Sequence, residues 1–171
     1  MDISKLCIEK LNKKQLNDIF YSILINSEFG IVDKKSEMDV DIVKISDGVR
    51  KFELHYLLKN ISNGGWKNYN NIKRIQIGNI KKGLVYTNRI RTHMLLGLVR
   101  YDEDYILVVW NSYLYTNHST NRSCYITLEA IEKCLNRGYV QVHEFDQDIW
   151  LCDKRHFGLL IRDYINYNYM E

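Results

Sequence analysis

The sequence predicts an α+β domain, mainly β, with about seven strands in an antiparallel, barrel-like arrangement. Three observations carry that expectation. Short apolar runs separated by turn residues fill most of the chain; helical periodicity is confined to the two ends and one segment between strands; and 171 residues suit a single hydrophobic core. With 46% hydrophobic and 26% charged residues, the composition excludes disordered and fibrous classes. The 0 prolines exclude proline-rich linkers and ligands of proline-binding modules. Twenty Ile, 16 Asn and 15 Lys stand against one alanine, Ala130. That is the A/T-rich codon usage of a low-GC microbe or phage, so Lys and Asn counts carry less weight here.

Residues 4 to 26 show helical spacing in two stretches, Leu6, Ile8 and Leu11, then Leu16, Ile19, Phe20, Ile23 and Leu24. They predict a helix or a broken helical pair, with Ser4 as N-cap and Gly30 past its end. Residues 1–35 are read as an N-terminal helical segment and 36–171 as one compact unit. Met38 to Ile45 alternates acid and aliphatic as a half-buried strand does, and Asp47-Gly48 signals a hairpin to a partner strand from Arg50 to Leu58. Asn60 to Asn71 is a loop. Strands follow at Lys73 to Ile77, Leu84 or Val85 to Ile90, Met94 to Arg100 and Tyr105 to Trp110. The last two are joined by the acidic turn Asp102-Glu103-Asp104. Ser123 to Ile126 is a short strand, and Thr127 caps a helix that ends at Gly138. Tyr139 to Phe145 and Gln147 to Leu151 form a hairpin, and Asp153 opens a final helix.

Charge is distributed unevenly. From Leu54 to Tyr101 there is no Asp or Glu, yet nine cations: Lys59, Lys67, Lys73, Arg74, Lys81, Lys82, Arg89, Arg91 and Arg100. The middle third therefore carries +9 on a chain whose net charge is +3. Such a block is the electrostatic footprint of a polyanion binder. The four cysteines, Cys7, Cys124, Cys134 and Cys152, lack metal-like pairing and read as buried thiols of a cytoplasmic protein without a signal peptide. No apolar run reaches the roughly 18 residues that span a bilayer, so no membrane partner is expected.

An enzymatic reading needs clustered carboxylates with a nearby lysine, as in Mg²⁺-dependent nucleases. The candidates are Asp39, Asp41, Asp47 and Glu53, with Lys44 and Lys59 near them, and a solvated strand face is the better reading of Asp39 and Asp41. The acid-any-lysine pattern occurs only as Asp33-Lys34-Lys35, outside any apolar run. There is no phosphate-cradling glycine loop with lysine and no nucleophile elbow. No cofactor, metal or catalytic residue is expected from the motifs.

Two polar segments remain. Asn63, Gly64, Gly65, Trp66, Lys67, Asn68 and Tyr69 lead into Lys73-Arg74-Ile75-Gln76-Ile77. The glycines permit close backbone approach, Trp66 and Tyr69 can stack on bases, and alternation puts Arg74 and Gln76 on one outward face if Ile75 and Ile77 are buried. The second segment, Tyr115 to Ser123, holds Asn117, His118, Ser119, Thr120, Asn121 and Arg122 and no aliphatic side chain. Arg reads guanine, Asn and Gln read adenine, and hydroxyls bond phosphates.

The run from Trp66 through Arg74-Ile75-Gln76-Ile77, then Leu95 to Val99, Ile106 to Trp110, the polar arm up to Arg122 and the helix ending at Gly138 resembles the B3-like DNA-binding domains of type II restriction endonucleases. The likeness covers about residues 60 to 165. It implies an open, seven-stranded pseudobarrel that grips the DNA major groove with two arms, here near residues 63 to 76 and 115 to 122. It also implies that cleavage comes from a separate nuclease domain or subunit. The helical segment at residues 4 to 26 departs from that pattern, and no catalytic domain is attached within these residues.

The resulting expectation is a sequence-specific, double-stranded-DNA-binding module of a bacterial restriction-modification system, non-catalytic by itself. Asn63, Trp66, Lys67, Asn68, Tyr69, Arg74, Gln76, Asn117, His118, Ser119, Thr120, Asn121 and Arg122 form the arms. Lys59, Lys81, Lys82, Arg89 and Arg91 join Lys67 as phosphate contacts. A small Mg²⁺-dependent restriction nuclease on Asp39, Asp41 and Glu53, or a phage or host nucleic-acid interaction protein, are the alternatives.

Overall fold

The computed structural model describes residues 1–37, 40–65, 70–78, 91–115 and 122–169. The elements in chain order are a 3-10 turn (Ile3–Lys5), β1 (Leu6–Cys7), α1 (Lys13–Asn26), β2 (Gly30–Glu37), β3 (Val40–Ser46), β4 (Lys51–Asn60), β5 (Ser62–Asn63), β6 (Ile72–Ile77), β7 (Arg91–Tyr101) and β8 (Asp104–Asn111). A second 3-10 turn (Ser112–Tyr115), β9 (Arg122–Thr127), α2 (Leu128–Arg137), β10 (Tyr139–Glu144), β11 (Gln147–Cys152) and α3 (Phe157–Tyr169) complete it. The fold is α+β and mainly β. The strand expected at 84 or 85 to 90 lies outside the described residues.

The larger sheet is open, in the order β10-β11-β8-β7-β4-β3-β2, and β1 pairs with the end of β7 that β4 does not reach. Its neighbours are antiparallel except β4 and β7, which run parallel with His55 beside His93 and Leu58 beside Leu96. The sheet is therefore mixed, which corrects the expectation of wholly antiparallel strands. A parallel pair needs a long crossover, and residues 61 to 90 supply it.

Both faces of this sheet are covered. In β7 every residue from Thr92 to Val99 is buried, the near-continuous apolar run of a central strand. Met94, Leu96 and Leu98 point to one side and join Leu54, Tyr56, Val109 and Trp150 beneath α1 and α3. Phe20 of α1 meets Tyr56 edge-on at 4.7 Å and Phe157 of α3 at 5.6 Å. Leu95 and Val99 point to the other side, where Val108, Trp110 and Ile149 meet α2 and a second sheet, β5-β6-β9. Gly97 lies against Ile61, the residue leading into β5, and Trp110 of β8. A Cβ there would sit 2.8 Å from Ile61 Cγ1 and 2.8 Å from Trp110 Cζ3.

Local chemistry explains the boundaries. The first periodic stretch is not helical. Leu6 and Cys7 pair with β7 instead, and α1 starts later with a reciprocal capping box between Asn12 and Gln15, so Asn12 and not Ser4 caps it. β2 was not expected, because its outward positions carry Asp33, Lys34, Lys35 and Glu37 instead of alternating aliphatics. It is an edge strand, and those charges with a register shift between Ile31 and Asp33 discourage further pairing. Thr127 caps α2 by accepting from the Ala130 N–H at 3.2 Å, and Gly138 closes it at φ +79°. α3 opens after Asp153, whose carboxylate accepts the Arg155 N–H and meets His156. Burial raises the Asp153 pKa, and the hydrogen bonds from His156 and Arg155 outweigh that and hold it below the usual value.

Candidate nucleic-acid interface

The small sheet is buried on one face only. In β6, Ile75 and Ile77 face inward together with Cys124 and Ile126 of β9, and Trp110 of the large sheet donates its indole N–H to the Tyr125 carbonyl at 2.9 Å. Period-two alternation leaves Arg74 and Gln76 of β6 on the outer face with Ser123 and Tyr125 of β9. The register puts Arg74 beside Tyr125 and Gln76 beside Ser123. The expectation that Arg74 and Gln76 share an outward face is met.

Arg74 is held rather than free. It is half-buried, its Nη1 donates to Ser123 Oγ at 3.4 Å, and its Nε is buried without a hydrogen-bond partner. Gly65, at φ +82°, lies against the guanidinium, so that a Cβ there would come within 3.1 Å of Nη2. Gly64 donates to the Ile72 carbonyl at 3.0 Å, and a Cβ on it would meet that backbone oxygen at 2.9 Å. The two glycines let the 62–65 segment close over β6 and fix the arginine in a slot. A guanidinium fixed this way keeps donors for a second partner in a set plane, and Gln76 beside it is exposed.

Other predicted residues are placed differently. Lys73 faces inward and is buried; its ammonium bonds Asn63 Oδ1 at 2.8 Å and the Asn70 carbonyl at 2.9 Å, and burial lowers its pKa. It ties together the two ends of the loop that precedes β6, and the Asn63 side chain is engaged in that tie. Arg100 is taken by Glu9, so this member of the cationic block is neutralised by an acid from outside it. Arg122 shares the inward parity of Cys124 and Ile126, not that of Ser123 and Tyr125. Its guanidinium lies over the Tyr115 ring at 5.1 Å and donates to the Leu114 carbonyl at 3.1 Å. Lys59 is exposed on β4. Trp66, Lys67, Asn68, Tyr69, Lys81, Lys82, Arg89, Asn117, His118, Ser119, Thr120 and Asn121 lie outside the described residues, as does the side chain of Arg91.

The carboxylates of the nuclease alternative are divided between the two sides of the large sheet. Asp41 faces α1, where Asn17 donates to it at 3.2 Å and Lys13 and Ser36 bind it. Glu53 faces away, bonded to His55 Nε2 at 2.6 Å, with the His55 ring 4.8 Å from that of His93. Asp41 and Glu53 thus do not converge on one ion, and no group of three His, Cys, Asp or Glu with metal-binding placement occurs among the described residues. Asp39 lies outside them. Burial pushes the thiols of Cys124 and Cys134 up to about 12, which leaves no thiolate there.

One feature of this surface escaped sequence reasoning. β10 and β11 are joined by a two-residue turn, Phe145-Asp146, between the paired residues Glu144 and Gln147. Both turn residues have positive φ, 52° and 59°. This is the turn geometry that favours Asn-Gly, and a bulky residue there costs about 1–2 kcal/mol. The Phe145 ring is nonetheless exposed and lies 5.6 Å from that of Tyr125. Both flanks of the tip are anchored. Glu144 accepts from the Thr127 N–H at 3.1 Å and from its hydroxyl at 2.5 Å, and Gln147 donates to the Tyr115 hydroxyl at 2.6 Å. The sequence signal was the pairing of two strands across only two residues, neither of them glycine or asparagine.

No helix among the described residues is long and apolar enough to cross a membrane. No curated protein matches the chain, and no solved structure does. Residues 52–160 match the family described as methylase-associated X1, a stretch that begins in β4, ends in the first turn of α3 and contains the whole small sheet. That description points to a restriction-modification context. Because the match spans more than half of the sequence, the chain belongs to the methylase-associated X1 family.

Proposed function

We propose that this chain is the site-reading module of a restriction-modification system: it binds double-stranded DNA, reads bases with Arg74 and Gln76, and leaves the chemistry to a methylase or nuclease partner. The observation that carries the reading is the pair on β6. A guanidinium seated between Gly65 and Ser123 stands beside an exposed amide on the solvent face of a sheet, within a stretch of 48 residues that contains no acid. Arg pairs with guanine and Gln with adenine through two hydrogen bonds each, and both need a fixed approach. In this reading the β5–β6 segment is one arm of a B3-like grip and residues 115 to 122 are the other, while Lys59, Lys67, Lys81, Lys82, Arg89 and Arg91 bind phosphates. The withdrawal of Lys73 into the core and of Arg100 to Glu9 takes neither from that set.

A salt titration tests the proposal. With about five to seven phosphates neutralised, log K for a mixed-sequence duplex falls against log[salt] with a slope of roughly −4.5 to −6, and a flat response refutes duplex binding. Arg74→Ala costs about 1–3 kcal/mol on the preferred sequence and relaxes the choice of base, whereas Lys82→Ala weakens all sequences alike. Equal losses on every sequence for both variants would leave an electrostatic binder without the reading arm.

A further inference from the structure

The Phe145-Asp146 turn carries a side chain that its backbone disfavours. A two-residue turn with both φ values positive is made most easily by Asn-Gly, and Phe145 pays for its backbone while leaving its ring 42% exposed. The ring is neither loose nor remote. Glu144 is bonded to Thr127 and Gln147 to Tyr115, so the tip is fixed at one end to the small sheet and at the other to the 3-10 turn after β8. Phe145 rests on Tyr125, the register partner of Arg74. An aromatic pair, Phe145 exposed and Tyr125 half-buried, thus adjoins the row formed by Arg74 and Gln76.

We infer that Phe145, backed by Tyr125, is an aromatic wedge that stacks on a nucleobase at a locally opened step of the duplex, beside the bases read by Arg74 and Gln76. The inference rests on the duplex-binding reading above and adds to it a stacking contact and a preference for bases that open easily. The occupant follows from the surroundings. Arg74, the register partner of Tyr125, favours a polyanion, and the face of a base is the part of DNA that an aromatic ring can cover. Asp146 at the same tip repels phosphate but accepts from an exocyclic amino group such as that of cytosine, so the tip suits the base edges and not the backbone. Apolar side chains inserted at a step unstack it and kink the duplex, and the cost is least where the base is already mismatched.

The test uses the full chain, a 25-base-pair duplex of mixed sequence, and the same duplex with one central mismatch or with 2-aminopurine at that position. Wild-type protein binds the mismatched duplex about tenfold more tightly and raises 2-aminopurine fluorescence. Phe145→Ala abolishes both effects and Phe145→Trp retains them. Phe145→Asn supplies the turn with a residue suited to positive φ, so its melting temperature is equal or higher while the mismatch preference disappears. That combination separates a retained wedge from a fold requirement. A mismatch preference that is absent in the wild type, or that survives Phe145→Ala, overturns the inference. So does a Phe145→Ala variant that loses only binding to a purified partner methylase, which would make the ring a protein contact. If the wild type binds neither duplex with salt dependence, the duplex-binding reading fails first. Arg74→Ala, which weakens both duplexes and leaves their ratio unchanged, tells the two contacts apart.

Discussion

One face of the eight-stranded sheet is covered by helices alone, the other by α2 and a second sheet. α1 and α3 close one face, and their inward stripes bury Phe20, Phe157 and Tyr164 against strand side chains. The polar groups on that side are used internally: Tyr164 donates to the His93 carbonyl at 2.6 Å, and Asp41 is bound by Asn17 and Lys13. The small sheet covers much of the other face and brings an outer surface of its own, with side chains at regular spacing on a braced backbone. A helical cover ends the structure, whereas a sheet cover extends it to a second surface. The residues of the proposed site, Arg74, Gln76, Tyr125 and Phe145, all belong to that second surface or its rim.

The contrast breaks most readily on the helical side. Phe20→Ala removes a fully buried ring wedged between Tyr56 and Phe157 and destabilises by about 3–5 kcal/mol in urea unfolding, with little change in the small sheet's hydrogen exchange until global unfolding. A loss under 1 kcal/mol would mean the helices are peripheral. Gly97→Ala acts where the two sheets meet. Its methyl group has to displace Ile61 or Trp110, at a cost of about 1–3 kcal/mol, and through Ile61 it disturbs the segment leading to Gly64 and Gly65. Weaker DNA binding at full occupancy of the folded state would show that the joint positions the reading row.

Alkaline titration sharpens the comparison further. Burial raises the Tyr164 pKa to about 12 and also raises that of Tyr56. A phenol with a higher pKa in the folded state retains its proton after the unfolded chain has lost it. The tyrosine contribution to stability is therefore complete below pH 10 and falls as the pH rises from 10 towards 12, by about 1.4 kcal/mol per unit for each such tyrosine, while the buried thiols begin the decline near pH 9. Tyr164→Phe makes the slope shallower by one proton. The smallest effect belongs to the outer face: Gln76→Ala changes stability by less than about 0.5 kcal/mol and alters only the preference among duplex sequences.

Parts of this arrangement were legible in the sequence because they rest on local chemistry. The Asp47-Gly48 turn, the Thr127 and Gly138 caps and the inward pair Ile75 and Ile77 each announce themselves within a few residues. Elements that depend on distant pairing did not. Leu6 and Cys7 become a strand only because β7 outruns β4, and β2 becomes one only because β3 offers it an edge. The parallel pairing of His55 with His93 joins positions 38 residues apart, and no spacing within either strand encodes its direction. In the site, Arg74 and Gln76 were readable from alternation. The inward parity of Arg122, the burial of Lys73 and the capture of Arg100 by Glu9 required partners that a one-dimensional charge count does not contain. Phe145 was missed because a hairpin tip held by tertiary anchors can tolerate a residue that its own turn disfavours.

The parallel β4–β7 pair has a consequence for how such a module changes its target. The excursion from residue 61 to residue 90 leaves and re-enters the scaffold at adjacent central strands, like a handle fixed to one block at both ends. Substitutions at the outward positions of β6, unlike those at the buried Ile75 and Ile77, leave the packing against the block untouched. In the proposed reading, the part of the site formed by Arg74 and Gln76 is then open to revision within one continuous stretch of coding sequence, while the central pairing of β4 with β7 is kept.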